Sequence, residues 1–175
     1  KVAITRSHLR PTDTVLDIGC GTGSLALLLA PHAGRVHALD VSPEMVRIGE
    51  EKAAAQGIEN VTFHASPLHT WDALEPGSVD VLCAYNILHL VEDRDAALQQ
   101  CLRLLRPGGW FISSTVALGD SWVPYRPVLT VARWFGKAPA VHVMRGATLE
   151  AEIERAGFVD LERPDVGARP VIRFL

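Results

Sequence analysis

Val15-Leu16-Asp17-Ile18-Gly19-Cys20-Gly21-Thr22-Gly23 is the stretch whose reading decides the fold. Val15–Ile18 is a short buried strand that Gly19 breaks. Glycines then alternate at positions 19, 21 and 23, and Ser24–Ala33 follows as an apolar helix that Gly34 stops. Without Cβ atoms the loop can turn sharply and a ligand can approach its backbone. The loop amides and the helix N-terminus favour a carboxylate or another anion. In an open α/β sheet this loop lies at the carboxyl edge of the strands, where ligands bind.

Working outward, the β/α alternation continues. Arg35–Leu39 reads as a second strand, and Ser42 with Glu44 opens a helix from Pro43 to about Gln56, ended by Gly57. Val61–Ala65 and Val79–Ala84 are strands rich in β-branched residues. Asp93–Leu105 is an amphipathic helix stopped by Pro107-Gly108-Gly109, and Trp110–Val116 is a fifth strand. Ala147–Ala156 is a helix ended by Gly157, with Phe158–Arg163 and Pro170–Leu175 as a closing pair of strands. Strands separated by helices of this length imply an α/β, doubly wound and mostly parallel sheet covered on both faces.

The chain has 175 residues, 48% hydrophobic and 21% charged, which fits one domain over 1–175 and excludes disorder and disulfide mini-scaffolds. Net charge is −3 with no basic run, so no nucleic-acid partner is expected. Cys20, Cys83 and Cys101 form no CxxC, and free thiols in a reducing cytoplasm are expected. His64 and His69 have a poor metal spacing, so no metal site is expected. No apolar run approaches the ~20 residues of a membrane span.

One segment breaks the rhythm. Residues 118–146 are interrupted by Pro124, Pro127 and Pro139, and connections this long are usually lids or binding elements. A substrate cap is expected here, with Trp122, Tyr125, Arg126 and Trp134 lining an acceptor pocket. The other reading packs the segment over the sheet edge with its charges solvated.

The loop's surroundings select the ligand. A dinucleotide fingerprint would place its third glycine at position 24, which is Ser24. It would also bring a pyrophosphate close to Asp17. Two like charges about 4 Å apart cost on the order of several kcal/mol in a cleft. A cationic centre suits Asp17 better, and an amino group is one. A phosphate-binding P-loop is excluded, because no Gly-Lys-Ser/Thr follows. Asp40 ends the second strand, where a carboxylate can accept both hydroxyls of a ribose. Together Asp17, the glycine spacing and Asp40 point to a nucleoside bearing an amino acid.

At these residues the sequence resembles the class I S-adenosylmethionine-dependent methyltransferases, in the small-molecule group related to ubiquinone and menaquinone biosynthesis. Val15–Gly23 is similar to that family's first motif and Leu39–Met45 to its second. Val79–Leu82 with Leu88-His89-Leu90 and Asp93 resembles the fourth, and Leu104–Gly109 the fifth. The resemblance implies a Rossmann-like seven-stranded sheet of order 3-2-1-4-5-7-6 with strand seven antiparallel. It implies S-adenosylmethionine as cofactor and a small-molecule acceptor as partner; a monomer or homodimer is expected, with nothing in the sequence choosing between them.

The same resemblance implies roles. Asp17 would bind the methionyl amino group, and Gly19, Cys20, Gly21 and Gly23 would supply backbone around the methionyl chain. Asp40 would hold the ribose hydroxyls, with Val41 and Met45 against adenine. After the third strand the family has an acidic residue and then an N–H donor for adenine. Here Ser66 and Pro67 stand there; Pro67 has no N–H, and Leu68 would substitute. Tyr85 and Asn86 would line the junction between methionyl group and substrate.

Methyl transfer from a sulfonium is an in-line displacement, so positioning and desolvation carry it. His89 is the expected base where the acceptor is a hydroxyl, and Tyr85 or Tyr125 the orienter. The competing reading of His89, set between Ile87, Leu88 and Leu90, is a packed core histidine. Two rival functions stand beside methyl transfer: a non-catalytic S-adenosylmethionine-binding module and a nicotinamide-dependent oxidoreductase. Ala84-Tyr85-Asn86-Ile87 lacks the Pro-Pro-aromatic element of amino-methylating enzymes that act on nucleic acids.

Overall fold

The computed structural model describes residues 2–116, 145–164 and 171–174. The expected cap, except its last two residues, lies outside the described residues, and so do Trp122, Tyr125, Arg126 and Trp134.

In chain order the elements are α1 (Val2–Ser7), β1 (Thr14–Ile18), α2 (Ser24–Leu29) and β2 (Arg35–Asp40). Then come α3 (Pro43–Ala55), β3 (Val61–Ala65), β4 (Val79–Tyr85) and α4 (Arg94–Leu104). The described chain closes with β5 (Leu105–Val116), α5 (Gly146–Ala156) and β6 (Val171–Phe174). The strands form one sheet of order β3-β2-β1-β4-β5-β6. The first five are parallel and β6 is antiparallel to β5.

Burial explains the strand sequences. A parallel sheet covered on both faces needs apolar side chains pointing both ways. Leu16, Leu39, Leu82 and Phe111 pack with Leu98, Leu104, Leu149 and Ile153 on one face. Val15, Val36, Val81, Cys83 and Ile112 pack with Ala26, Leu29 and Ala30 on the other. Helix starts follow local chemistry. Ser42 Oγ accepts the Met45 N–H ahead of Pro43, and Asp93 accepts the Ala96 N–H at 2.9 Å ahead of α4. The Arg94 guanidinium grips Glu152 at 2.7 and 2.9 Å and ties α4 to α5.

The structure corrects the sequence reading in four places. The first helix ends at Leu29 and tightens into a 3-10 turn over Ala30–His32, because Pro31 cannot donate to the helical ladder. β5 starts at Leu105, directly after α4, with a register irregularity opposite Val79–Val81. Phe158–Arg163 is not a strand. Asp160 turns left-handed at φ 56°, and Phe158 and Leu161 pack on the core while Val159 is exposed and the backbone stays outside the ladder. Phe158 meets Phe111 with ring centroids 4.7 Å apart. The described residues thus supply six strands of the sheet, five of them parallel. The fourth difference is α1, which no sequence pattern announced.

Among the described residues no helix is long and apolar enough to cross a membrane.

Candidate functional site

The carboxyl ends of β1, β2, β3 and β4 meet around the glycine loop. Gly19 and Gly21 adopt φ of 65° and 54°, a region that side chains rarely enter. They differ in surroundings. A Cβ on Gly19 would stand 2.7 Å from Ile87 Cδ1, whereas a Cβ on Gly21 meets nothing within 4 Å among the described residues. Gly19 is thus closed by the protein itself and Gly21 is open to a ligand.

Hydrogen bonds fix the loop. The Cys20 N–H donates to the Leu39 carbonyl at 3.0 Å, and the Gly23 N–H to the Cys20 carbonyl at 3.0 Å. Lys52 Nζ donates to Thr22 Oγ1 at 2.6 Å from α3. Asp40 is the hub: its Oδ2 accepts the Gly21 N–H at 2.8 Å and its Oδ1 accepts the Ser42 N–H at 2.9 Å. Each carboxylate oxygen retains a second lone pair, and Asp40 is half-buried, so a ribose diol can still be held.

Asp17 lies beneath the loop, 2% exposed. Its Oδ2 is buried with no hydrogen-bond partner among the described residues. Burial pushes its carboxyl up to about 7, the Ala26 amide working against this and the Asp40 charge adding to it. A buried carboxylate oxygen without a partner is costly, and a cationic ligand would relieve that cost. The neighbouring Cys20 thiol is pushed up to about 12 by burial, then by Asp17 and Asp40, which makes it no nucleophile.

The other expected residues stand on the strand ends and the segments that follow β2, β3 and β4. Val41 is 71% exposed at the rim and Met45 is half-buried beside it on α3. Ser66, Pro67 and Leu68 are half-buried, and the Ser66 N–H donates to the Asp40 carbonyl at 3.0 Å, joining the β2 and β3 ends. Tyr85 ends β4; Asn86 follows at φ 57°, exposed, its N–H donating to the Ser114 carbonyl at 2.6 Å. His89 is half-buried, with its Nδ1 unpartnered among the described residues and its pKa lowered by burial. The imidazole is therefore neutral at physiological pH.

Sequence reasoning missed three features. Thr5, on α1, hydrogen-bonds the Tyr85 hydroxyl at 2.8 Å. Ser113, Ser114 and Thr115 on β5 are fully buried with hydroxyls unpartnered among the described residues. His64 pairs with His37, Nδ1 of His37 lying 3.1 Å from Nε2 of His64. A separate cavity of about 450 Å³ opens at the amino end of β5, lined by Leu105, Trp110, Phe111, Ile153 and Phe158, at the opposite edge of the sheet.

A Rossmann-like α/β sheet, a glycine loop with an open Gly21 and two acidic residues flanking it define a class of small-ligand-binding domain. Residues 15–109 match the family model described as a methyltransferase domain. The chain belongs to that family, of the class I type that its motifs resemble. It is 33% identical over 102 residues to a ubiquinone biosynthesis O-methyltransferase of Xanthomonas euvesicatoria, covering 58% of this chain and 42% of that protein. The chain thus spans less than half the length of such curated relatives. Its fold matches that of Haemonchus contortus phosphoethanolamine N-methyltransferase 2 in complex with S-adenosyl-L-methionine, at TM-score 0.80 and 22% identity, over 94% of this chain and 38% of that one. It matches the [4+2]-cyclase SpnF at TM-score 0.77 and 22% identity, over 93% and 58% of the two chains.

Proposed function

We propose that this chain binds S-adenosylmethionine over the glycine loop and transfers its methyl group to a small-molecule acceptor. The observation that carries the reading is the buried Asp17 carboxyl beneath an open Gly21, its Oδ2 unpartnered among the described residues, with Asp40 at the end of β2. These residues fit the cofactor: a cationic amino group answers Asp17, and a ribose diol answers Asp40. A nicotinamide dinucleotide would bring its pyrophosphate toward Asp17, so an oxidoreductase is disfavoured.

When bound, the cofactor supplies a methyl group already activated on a sulfonium. The protein's own residues bind, orient and exclude water. Asp17 holds the amino group as a carboxylate, and the amides and Cα atoms of Gly19 to Gly23 line the methionyl chain. Asp40 accepts the ribose hydroxyls, and Val41 and Met45 cover one face of adenine. The Ser66 hydroxyl accepts from the adenine amino group, and the Leu68 N–H takes the place that Pro67 cannot fill. Tyr85 and Asn86 wall the junction with the acceptor. Alignment of this kind supplies roughly 7–11 kcal/mol of a barrier.

Similarity to O-methyltransferases supports a hydroxyl acceptor, whose proton the neutral His89 can take. Trp122, Tyr125, Arg126 and Trp134 are proposed to cap that acceptor. The protein is proposed to be a single domain acting in the cytoplasm as a monomer or homodimer. The same fold is found in a [4+2]-cyclase, so the fold does not by itself dictate methyl transfer, and a non-catalytic S-adenosylmethionine-binding module is the second reading. The test is incubation with methyl-labelled S-adenosylmethionine and a panel of phenolic acceptors. Label transfer abolished by Asp17→Asn supports the enzyme; cofactor binding without transfer to any acceptor supports the second reading.

A further inference from the structure

β1 and β4 are neighbours with Asp17 opposite Cys83, and alternation along each strand puts Asp17, Cys83 and Tyr85 on one face of the sheet. Ser114, opposite Tyr85 in the β4–β5 register, joins them on that face. This is the face that α2 covers, and Cys20, Leu25 and Tyr85 all pack on its core layer. An apolar layer therefore holds a polar strip directly beneath the glycine loop. α1 closes the strip: Val2 packs on the same layer and Arg6 Nη2 donates to the Leu28 carbonyl at 3.1 Å.

Thr5 stands in the middle of this contact. It is 0% exposed, and its hydroxyl lies 2.8 Å from the Tyr85 hydroxyl, 80 residues away in sequence. Burial and the Asp17 charge push the Cys83 thiol well up, and the Thr5 hydroxyl pulls the other way, so Thr5 serves both strand neighbours of the Asp17 site. Tyr85 leads directly into the turn at the mouth. The next residue, Asn86, takes φ 57° at the mouth, and Ile87 fills the space against Gly19. A tyrosine ring with its hydroxyl fixed holds that turn in one place; a ring with its hydroxyl released can tilt and take the turn with it.

We infer that Thr5 is a positioning residue of the cofactor site, holding the Tyr85 phenol so that the end of β4 presents a fixed wall beside Asp17. α1 is on this account part of the binding machinery and not only a cover for the sheet. The inference rests on the reading that the cleft takes S-adenosylmethionine.

The test is calorimetric titration of S-adenosylhomocysteine into the wild-type chain, Thr5→Val, Thr5→Ser, Tyr85→Phe and the Thr5→Val/Tyr85→Phe pair, with the melting temperature of each. One neutral hydrogen bond sets the scale, so Thr5→Val should lose about two- to tenfold in affinity. Thr5→Ser, which keeps the hydroxyl, should recover wild-type affinity. Tyr85→Phe should match Thr5→Val, and the double variant should lose no more than either single one. Equal affinities in wild type and Thr5→Val would overturn the inference and leave the cofactor reading standing. So would losses that simply add in the double variant. Should Thr5→Val not fold, Thr5→Ala takes its place in the same comparison, with Thr5→Ser as the variant that keeps the hydroxyl. No binding to the wild-type chain would overturn the cofactor reading itself.

Discussion

The Asp40 carboxylate accepts the Gly21 N–H at 2.8 Å, so the residue proposed to hold a ribose also holds the glycine loop. The glycine loop and β2 are one unit before any ligand arrives. Asp40→Ala should therefore lower both binding and stability. Hydrogen bonds to a charged group contribute about 1.5–3 kcal/mol each, and two amides lose their acceptor. At about 2–4 °C per kcal/mol for a domain of this size, several degrees of melting temperature should go, with at least tenfold in S-adenosylhomocysteine affinity. Thermal melts and calorimetry on one preparation check this.

Gly19 and Gly21 should respond oppositely to alanine. Both need φ above +50°, which costs an L-residue about 1–2 kcal/mol. Gly19→Ala adds a clash with Ile87 at 2.7 Å and should fall mainly on stability. Gly21→Ala meets open space, so its further cost should appear only as lost ligand affinity. Denaturant midpoints beside binding constants separate the two.

Asp17 should make binding pH-dependent. Its folded carboxyl titrates near 7 against 3.8 for an ordinary aspartate, so the ligand-free fold favours the protonated form. Its contribution to stability is full below about pH 3.8 and is lost as pH rises through about 7. An ammonium ligand needs the carboxylate, so binding should release a proton below pH 7. Affinity should climb about tenfold per pH unit towards 7 and level off above it. Calorimetry in buffers of different ionisation enthalpy counts the proton. Asp17→Asn should remove the pH dependence and most of the affinity.

The His37–His64 pair predicts an acid limit on the fold. His37 is buried, and its pKa is lowered to about 4, first by burial, then by His64 and Arg35; burial lowers His64 as well. Neutral imidazoles are the folded form. The His37 contribution is present above about pH 6.5 and is lost as pH falls through about 4, and the lowered His64 acts in the same direction. The melting temperature should drop between pH 6.5 and 4, and His37→Phe should flatten that drop.

What could be read from sequence was what local chemistry encodes. Asp17, the three loop glycines and Asp40 announce themselves because a turn, an anion site and a diol site each demand particular residues at fixed spacing. Ser42 before Pro43 and Asp93 before Arg94 mark their helices for the same reason. Thr5 could not be found that way: α1 has six residues, and its contact with Tyr85 spans 80 positions. His64 was weighed against His69 along the chain, but the β2–β3 register, with Leu39 opposite His64, sets it diagonally across from His37 instead. Phe158–Arg163 has strand-like apolar residues, but with Asp160 in a left-handed turn Phe158 and Leu161 pack on the core without pairing and Val159 is exposed.

The central claim is that the cleft over Gly21 takes S-adenosylmethionine and not a dinucleotide. Calorimetric titration of the chain with S-adenosylhomocysteine, and separately with NADH, tests it most directly. The account predicts micromolar binding of the first, abolished by Asp40→Ala, and no binding of the second. NADH binding, or S-adenosylhomocysteine binding that survives both Asp17→Asn and Asp40→Ala, would contradict it.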